Sequence, residues 1–170
     1  GCELVYESDI SYVKLRDNDS AGASVDVSVF KGSTLTGQTS GVTAHVIDSL
    51  TGAEASNPDT KTLYIKYTSA GSNNTTRTFL SAEKLVSNTI SPAAATANVL
   101  TGTTSVVANT GLRVTYDEGI IFAKDHFIRV DKQSLIVGRY SANTTIKIGY
   151  DIIEEIVQSG SEATLLDPSQ

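Results

Sequence analysis

The octapeptide Gly32-Ser33-Thr34-Leu35-Thr36-Gly37-Gln38-Thr39 is one residue away from a phosphate-binding loop. In such a loop the backbone N–H groups of a glycine-rich turn cradle phosphate oxygens, a lysine reaches the β/γ-phosphates, and a helix opens behind it. Here Gln38 stands where the lysine is needed, and the residues that follow alternate in the manner of a strand. Nucleotide binding is therefore not expected. A second stretch, Asp17-Asn18-Asp19-Ser20-Ala21-Gly22, opens like a calcium loop, with side-chain oxygens at its first and third positions and glycine at its sixth. Its fifth position is Ala21 and its twelfth is Ser28, where a bidentate glutamate is required. It reads as a solvated turn between two strands.

The remaining chemistry-bearing side chains are sparse. The only histidines, His45 and His126, both fall in strand-like segments, and no Gly-x-Ser-x-Gly elbow offers a nucleophile to either. Glycoside cleavage needs two facing carboxylates. The adjacent pairs Asp117/Glu118 and Glu154/Glu155 would point to opposite faces of a strand, so neither makes such a dyad by itself. Cys2 is the single cysteine, which excludes an internal disulfide and a cysteine-based metal site. Asparagine triplets of the glycosylation type begin at Asn18, Asn73, Asn74 and Asn143, as chance allows in a chain so rich in Asn and Thr. The expectation is a chain with no catalytic, cofactor-binding or metal-binding residues, and not an enzyme.

The elements that would position these groups are strands. Val, Ile and Leu dominate the apolar residues of the 170-residue chain and are often set singly between polar neighbours. Strand candidates are residues 11–16, 25–30, 42–48 and 62–67. In the second, Val25, Val27 and Val29 would share one face with Phe30 opposite. In the last, Leu63, Ile65 and Tyr67 would face the core while Tyr64 and Lys66 face water or a neighbour. Polar turn segments at residues 52–59 and 71–76 separate these runs, a spacing that suits a small barrel or sandwich. Residues 87–110 carry no charge and are rich in Ala, Thr and Ser; they fit a long surface connection, weak edge strands around Val99-Leu100 and Val106-Val107, or a loop covered by a partner. Beyond it, residues 112–116, 120–123, 126–130, 134–137 and 145–150 form an expected antiparallel β-meander. Residues 151–157 fit either period, and their Ile and Val content favours strand.

The fold expected is all-β: a barrel- or sandwich-like module with a preceding extended strand over residues 1–88, a polar Ala/Thr-rich connection over 89–116, the meander over 117–158, and an extended tail over 159–170 leading to a further domain. The absence of Met, the start at Gly1 and the end at Asp167-Pro168-Ser169-Gln170 support the expectation that a longer polypeptide contains this chain. A formal net charge of −6, with basic residues scattered singly, argues against a nucleic-acid partner. No apolar run approaches the roughly 20 residues that span a bilayer, so no membrane role is expected.

Two blocks of the sequence carry a resemblance. The first runs from Phe30-Lys31-Gly32-Ser33 through Gly41-Val42-Thr43-Ala44-His45-Val46 to Thr62-Leu63-Tyr64-Ile65-Lys66-Tyr67 and Ser69-Ala70-Gly71. The second joins Glu118-Gly119-Ile120-Ile121-Phe122, Phe127-Ile128-Arg129-Val130, Gln133-Ser134-Leu135-Ile136-Val137, Ile148-Gly149-Tyr150-Asp151 and Leu165-Leu166-Asp167. Together they resemble a family of virion structural proteins of tailed phages, of baseplate or tail-fibre type, found in large contractile-tailed and marine phages. The chain departs from that family at Lys124-Asp125, where a glycine-containing turn is expected, and in its long Ala/Thr-rich stretch. The resemblance implies a viral structural protein without catalytic activity. It would act as a rigid connector in a tail, neck, baseplate or fibre, placed in the virion and assembled in the host cytoplasm. Its partners would be other copies of itself, as a homotrimer by analogy, and other virion proteins. The alternative, a receptor- or carbohydrate-binding module, requires Tyr64, Tyr67, Tyr140 and Tyr150 to share one concave face. The interface residues are not legible in the sequence.

Overall fold

The computed structural model describes residues 3–56, 58–87, 110–141, 143 and 145–155, together with the backbone of 95–98. The molecule is all-β. Ten strands are present among the described residues: β1 (Leu4–Lys14), β2 (Thr34–Gly37), β3 (Thr43–Leu50), β4 (Thr62–Ser69), β5 (Lys84–Ser87), β6 (Ala95–Asn98), β7 (Thr110–Tyr116), β8 (Gly119–Ala123), β9 (His126–Val130) and β10 (Gln133–Gly138). Eight form one antiparallel sheet in the order β10-β7-β1-β4-β3-β2-β5-β6, and β8 and β9 form a hairpin of their own. The sheet is open, with β10 and β6 at its edges, so the barrel form of the expectation gives way to an unclosed sheet. The expected edge strands around Val99-Leu100 and Val106-Val107 lie outside the described residues, as do residues 156–170.

The alternation read from the sequence accounts for one buried face where β1 pairs with β4, and the other face there is buried as well. Val13 opposite Leu63, with Ile65, Ala44, Val46, Leu35 and Leu85, builds the main core beneath Val25, Val27, Phe30 and Phe79. Each such side chain, fully buried, is worth about 1.5–3 kcal/mol of transfer free energy. On the opposite face Tyr12 lies across from Tyr64, and with Ile10 they form a second cluster, against which Ile47, Leu50, Ile136 and Tyr140 pack. Tyr64, expected to face water or a neighbour, is 2% exposed because residues arriving with β10 and beyond cover it.

Three sequence expectations are corrected. Residues 27–30 form a 3-10 turn, not a strand. The Asp26 carboxylate caps it by accepting from the backbone N–H and the hydroxyl of Ser28, at 2.9 and 2.7 Å. Val27 and Phe30, one turn apart, are buried together while Val29 is 45% exposed, so the three valines do not share a face. In the expected meander the strands stand where anticipated, but β10 pairs with β7, leaving β8 and β9 as a separate excursion between two partners. Residues 145–150 keep a period of two without a ladder: Ile146, Ile148 and Tyr150 line the surface formed by Leu4, Tyr6, Leu112, Val114 and Tyr116, and the Tyr116 hydroxyl donates to the Ile148 carbonyl at 3.0 Å. Alternation there serves packing alone, which a hydropathy pattern does not distinguish from strand pairing.

Candidate functional site

The glycine-rich octapeptide runs through β2 into the turn that joins it to β3. An anion does meet the backbone N–H groups of this turn, and it belongs to the protein. The carboxylate of Glu83 accepts from the N–H of Thr39 at 2.8 Å and of Ser40 at 2.5 Å, from the Ser40 hydroxyl at 3.1 Å, and from the N–H of Leu80 at 2.8 Å. Glu83 is only 3% exposed, and these four donors replace the water it has lost. A β-carbon on Gly37 would stand 2.5 Å from a Glu83 oxygen and 2.6 Å from the Ser40 hydroxyl, so the glycine is what lets the carboxylate in. The feature that resembles a phosphate cradle is an internal clamp joining the β2–β3 turn to the loop before β5.

The calcium-like loop is likewise turned inward. The N–H of Asp17 donates to Glu54 at 2.8 Å, and the N–H of Glu54 donates back to the Asp17 carboxylate at 3.1 Å. Asp19 accepts from the N–H groups of Ala21 and Ala23 within its own turn. The loop's carbonyls do coordinate a cation: the Lys61 ammonium, buried, donates to the carbonyls of Asp17 and Val25 at 2.9 and 2.6 Å and to the Ser24 hydroxyl at 3.2 Å. Among the described residues no three His, Cys, Asp or Glu side chains come together as metal ligands.

The histidines stand on different sheets, His45 on β3 opposite Lys66 and His126 on β9 opposite Ala123. Lys66 and Arg113 flank Glu7, at 2.7 and 3.2 Å, with Asp9 3.5 Å from Lys66. The hydrogen bond to Glu7 raises the Lys66 pKa above its usual value. This charged row fastens β7, β1 and β4 across the sheet. The adjacent carboxylates go to separate cations: Asp117 to Lys132 at 2.6 Å, Glu118 to Arg129 at 3.6 Å, and Glu154 to Lys124 at 3.6 Å.

The four tyrosines singled out for ligand binding do not share a face. Tyr64 is buried in the second cluster, its hydroxyl without a hydrogen-bond partner among the described residues, and burial raises its pKa well above the usual phenol range. Tyr140 sits edge-on to Tyr12 at 5.2 Å and donates to Asp59 at 3.0 Å. Tyr67 lies on the opposite face of β4 against Phe79, where burial pushes its pKa up to about 12. Tyr150 packs on Tyr116 at 5.2 Å.

Besides Tyr6, Leu135 and Ile153, the large apolar side chains that face outward include those of the β8–β9 hairpin. Phe122 and Phe127 face each other across its strands with ring centroids 5.1 Å apart, and Ile120 lies opposite Arg129 on the next rung of the same face. Ile120, Phe122 and Phe127 are 61%, 62% and 80% exposed. Large apolar side chains gathered on one face of a two-stranded ribbon are the mark of an interaction surface. The sequence carried the signal in the run Gly119-Ile120-Ile121-Phe122-Ala123, apolar on both faces of a strand that was expected to pair within a meander. The backbone conformation of the tip shows why a glycine is expected at Lys124-Asp125: both residues adopt left-handed φ, +49° and +62°, as a two-residue hairpin turn of the I′ type requires.

Comparison of this chain with family models, with curated proteins and with solved structures gave no match. Among the described residues no helix is long and apolar enough to cross a membrane.

Proposed function

We propose that this chain is a structural component of the tail, neck, baseplate or fibre apparatus of a tailed phage, a rigid connector that assembles with copies of itself and with other virion proteins. The resemblance of its two sequence blocks to tailed-phage virion proteins supplies the virion part of this reading. The scaffold part rests on one observation. The loops whose spacing suggested a phosphate or a calcium site are filled by the protein's own Glu83 carboxylate and Lys61 ammonium, while the large apolar groups of the hairpin face outward. Such a distribution makes a fold stiff inside and adhesive outside. Its place would be the virion, after assembly in the host cytoplasm, and a homotrimer is the oligomer that the analogy with fibres supports.

Quantitative mass spectrometry of density-purified particles tests the reading. Peptides of this chain should remain with tails separated from capsids, at a fixed ratio to the other tail proteins. Their loss on purification, or a ratio that varies between preparations, would contradict it. Binding of the isolated chain to a glycan array would shift the reading to a receptor- or carbohydrate-binding module.

A further inference from the structure

The large sheet is joined in its middle by one strand, and that strand changes partners. The first half of β1, Leu4 to Glu7, pairs with Tyr116 to Arg113 of β7. Its second half, Ser11 to Lys14, pairs with Ile65 to Thr62 of β4. Among the described residues Ser11 alone is paired on both sides, opposite Thr110 and Ile65. The register with β7 shifts between Glu7 and Ile10, just before this changeover, and a bulge of that kind bends the strand that carries it. The main core lies wholly on one side of the changeover. Its buried members all fall between Val13 and Leu85, and β7 to β10 contribute none of them. On the other side stand all the exposed large apolar side chains among the described residues except Val29 and Leu80.

From this division we infer that the chain is a core unit, residues 11–87, carrying an arm, residues 3–7 and 110–155, and that the arm opens at the seam between them while the core stays folded. The inference does not depend on the scaffold reading. A small set of contacts closes the seam. Lys66 of the core reaches Glu7 at 2.7 Å and Asp9 at 3.5 Å, while Arg113 holds Glu7 within the arm at 3.2 Å. Tyr140 of the arm donates to Asp59 of the core at 3.0 Å, and Arg139 lies 3.3 Å from the same carboxylate. Between these ties lies the second apolar cluster, where Ile136 and Tyr140 pack against Ile10, Tyr12 and Tyr64. That cluster has three buried members against thirteen in the main core. It also encloses the Tyr64 hydroxyl, which has no hydrogen-bond partner among the described residues. A buried donor left in that way favours the opened seam, where water reaches it. The arm has cohesion of its own, from the β7–β10 ladder, the Tyr116–Tyr150 ring contact and the hydrogen bond from Tyr116 to Ile148. Opening at the seam therefore breaks few contacts within either unit, and folded chains divide into cooperative units along such sparsely bonded boundaries. The bulged stretch from Glu7 to Ser11 is the hinge, and it lets the outward apolar groups of the arm change their angle to the core.

Native-state hydrogen exchange of the full chain tests the seam. In dilute denaturant the amides bonded in the β1–β7 and β7–β10 ladders should exchange together, at least about tenfold faster than those bonded between β3 and β4. Lys66→Met cuts a tie across the seam and leaves Glu7 with Arg113. It should speed exchange in the arm by about three- to fivefold and leave β3 and β4 unchanged. Tyr140→Phe, which removes the hydrogen bond to Asp59, should do the same. Salt at about 1 M, where the Debye length falls to about 3 Å, should act on the parent as Lys66→Met does and add little to that variant. Equal protection of β7 and β4, with every strand shifting together in both variants, would overturn the inference and show a single cooperative sheet. That result would leave the virion reading untouched, since the composition of purified particles tests it separately.

Discussion

The carboxylate of Glu83 and the backbone N–H of Ser40 stand 2.5 Å apart although 43 residues separate them in sequence. This contact closes the β2–β3 turn onto the loop that leads into β5, so a charged group holds together the end of the sheet where β2 pairs with both β3 and β5. Its removal should weaken the whole fold and not merely the turn.

Glu83→Gln keeps the size of the side chain but replaces one acceptor oxygen with an NH2 group facing other donors. Hydrogen bonds to charged groups contribute about 1.5–3 kcal/mol, and a loss of about 2–3 kcal/mol is expected in urea unfolding. An effect below about 0.5 kcal/mol would mean that water satisfies the turn equally well.

Gly37→Ala tests the same clamp from the other side. Contacts of 2.5–2.6 Å with a buried carboxylate and a hydroxyl must be relieved by moving both, and overpacking of this kind costs about 1–3 kcal/mol. Combined with Glu83→Gln, the two changes should be strongly non-additive, because the first already displaces the group that the second alters.

Lys61→Met would leave the carbonyls of Asp17 and Val25 without the ammonium that now joins them. An unsatisfied buried polar group costs about 1–3 kcal/mol, and the variant should lose at least that much. Millimolar calcium should raise the melting temperature of neither the parent nor the variant, since the carboxylates of Asp17 and Asp19 are held by backbone N–H groups. A calcium-dependent rise in the parent would restore the ion-binding reading of this loop.

Lys124 and Asp125 occupy the turn positions where left-handed backbone is demanded, and neither is the residue that adopts it most readily. Replacing the pair with Asn-Gly should stabilise the hairpin by about 0.5–1 kcal/mol. Slower amide exchange across β8 and β9 would report it, with little change in the large sheet.

The response to alkali follows from four groups whose folded pKa values are raised, the burial-raised Tyr64, Tyr67 and Tyr140 and the ion-paired Lys66. Tyr67 rises from 10.0 to about 12 through burial, and Lys66 rises from 10.5 through its hydrogen bond to Glu7. A group with a raised folded pKa holds its proton more tightly in the folded state. Its contribution is full below the unfolded value and disappears as pH rises through the folded one. Stability should therefore be level up to about pH 10 and fall toward pH 12. Tyr67→Phe should make that fall shallower without removing it, since Tyr64, Tyr140 and Lys66 still contribute, while costing about 1 kcal/mol at neutral pH because the Phe79 N–H loses its acceptor.

Strands and their inward faces were legible wherever alternation ran undisturbed, as at Leu63, Ile65 and Tyr67. The pattern failed at Val25, Val27 and Val29 because a local capping interaction, Asp26 with Ser28, outcompeted the extended form. It also failed to separate β10 from the hairpin, since alternation names a buried face and not a pairing partner. The inward fate of the octapeptide could not be read from residues 32–39 alone, because the anion that fills it comes from Glu83. The tyrosines could not be assigned to faces beyond their own strands for the same reason: what covers Tyr64 arrives from residues far along the chain.

We propose that this chain is a component of a virion tail that assembles with copies of itself. A symmetry-averaged density map of the tail apparatus, at a resolution that separates strands, tests it most directly. The expected map shows an open eight-stranded sheet repeated around the tail or fibre axis. A tail fully accounted for by other chains, with no place for this sheet, would contradict it.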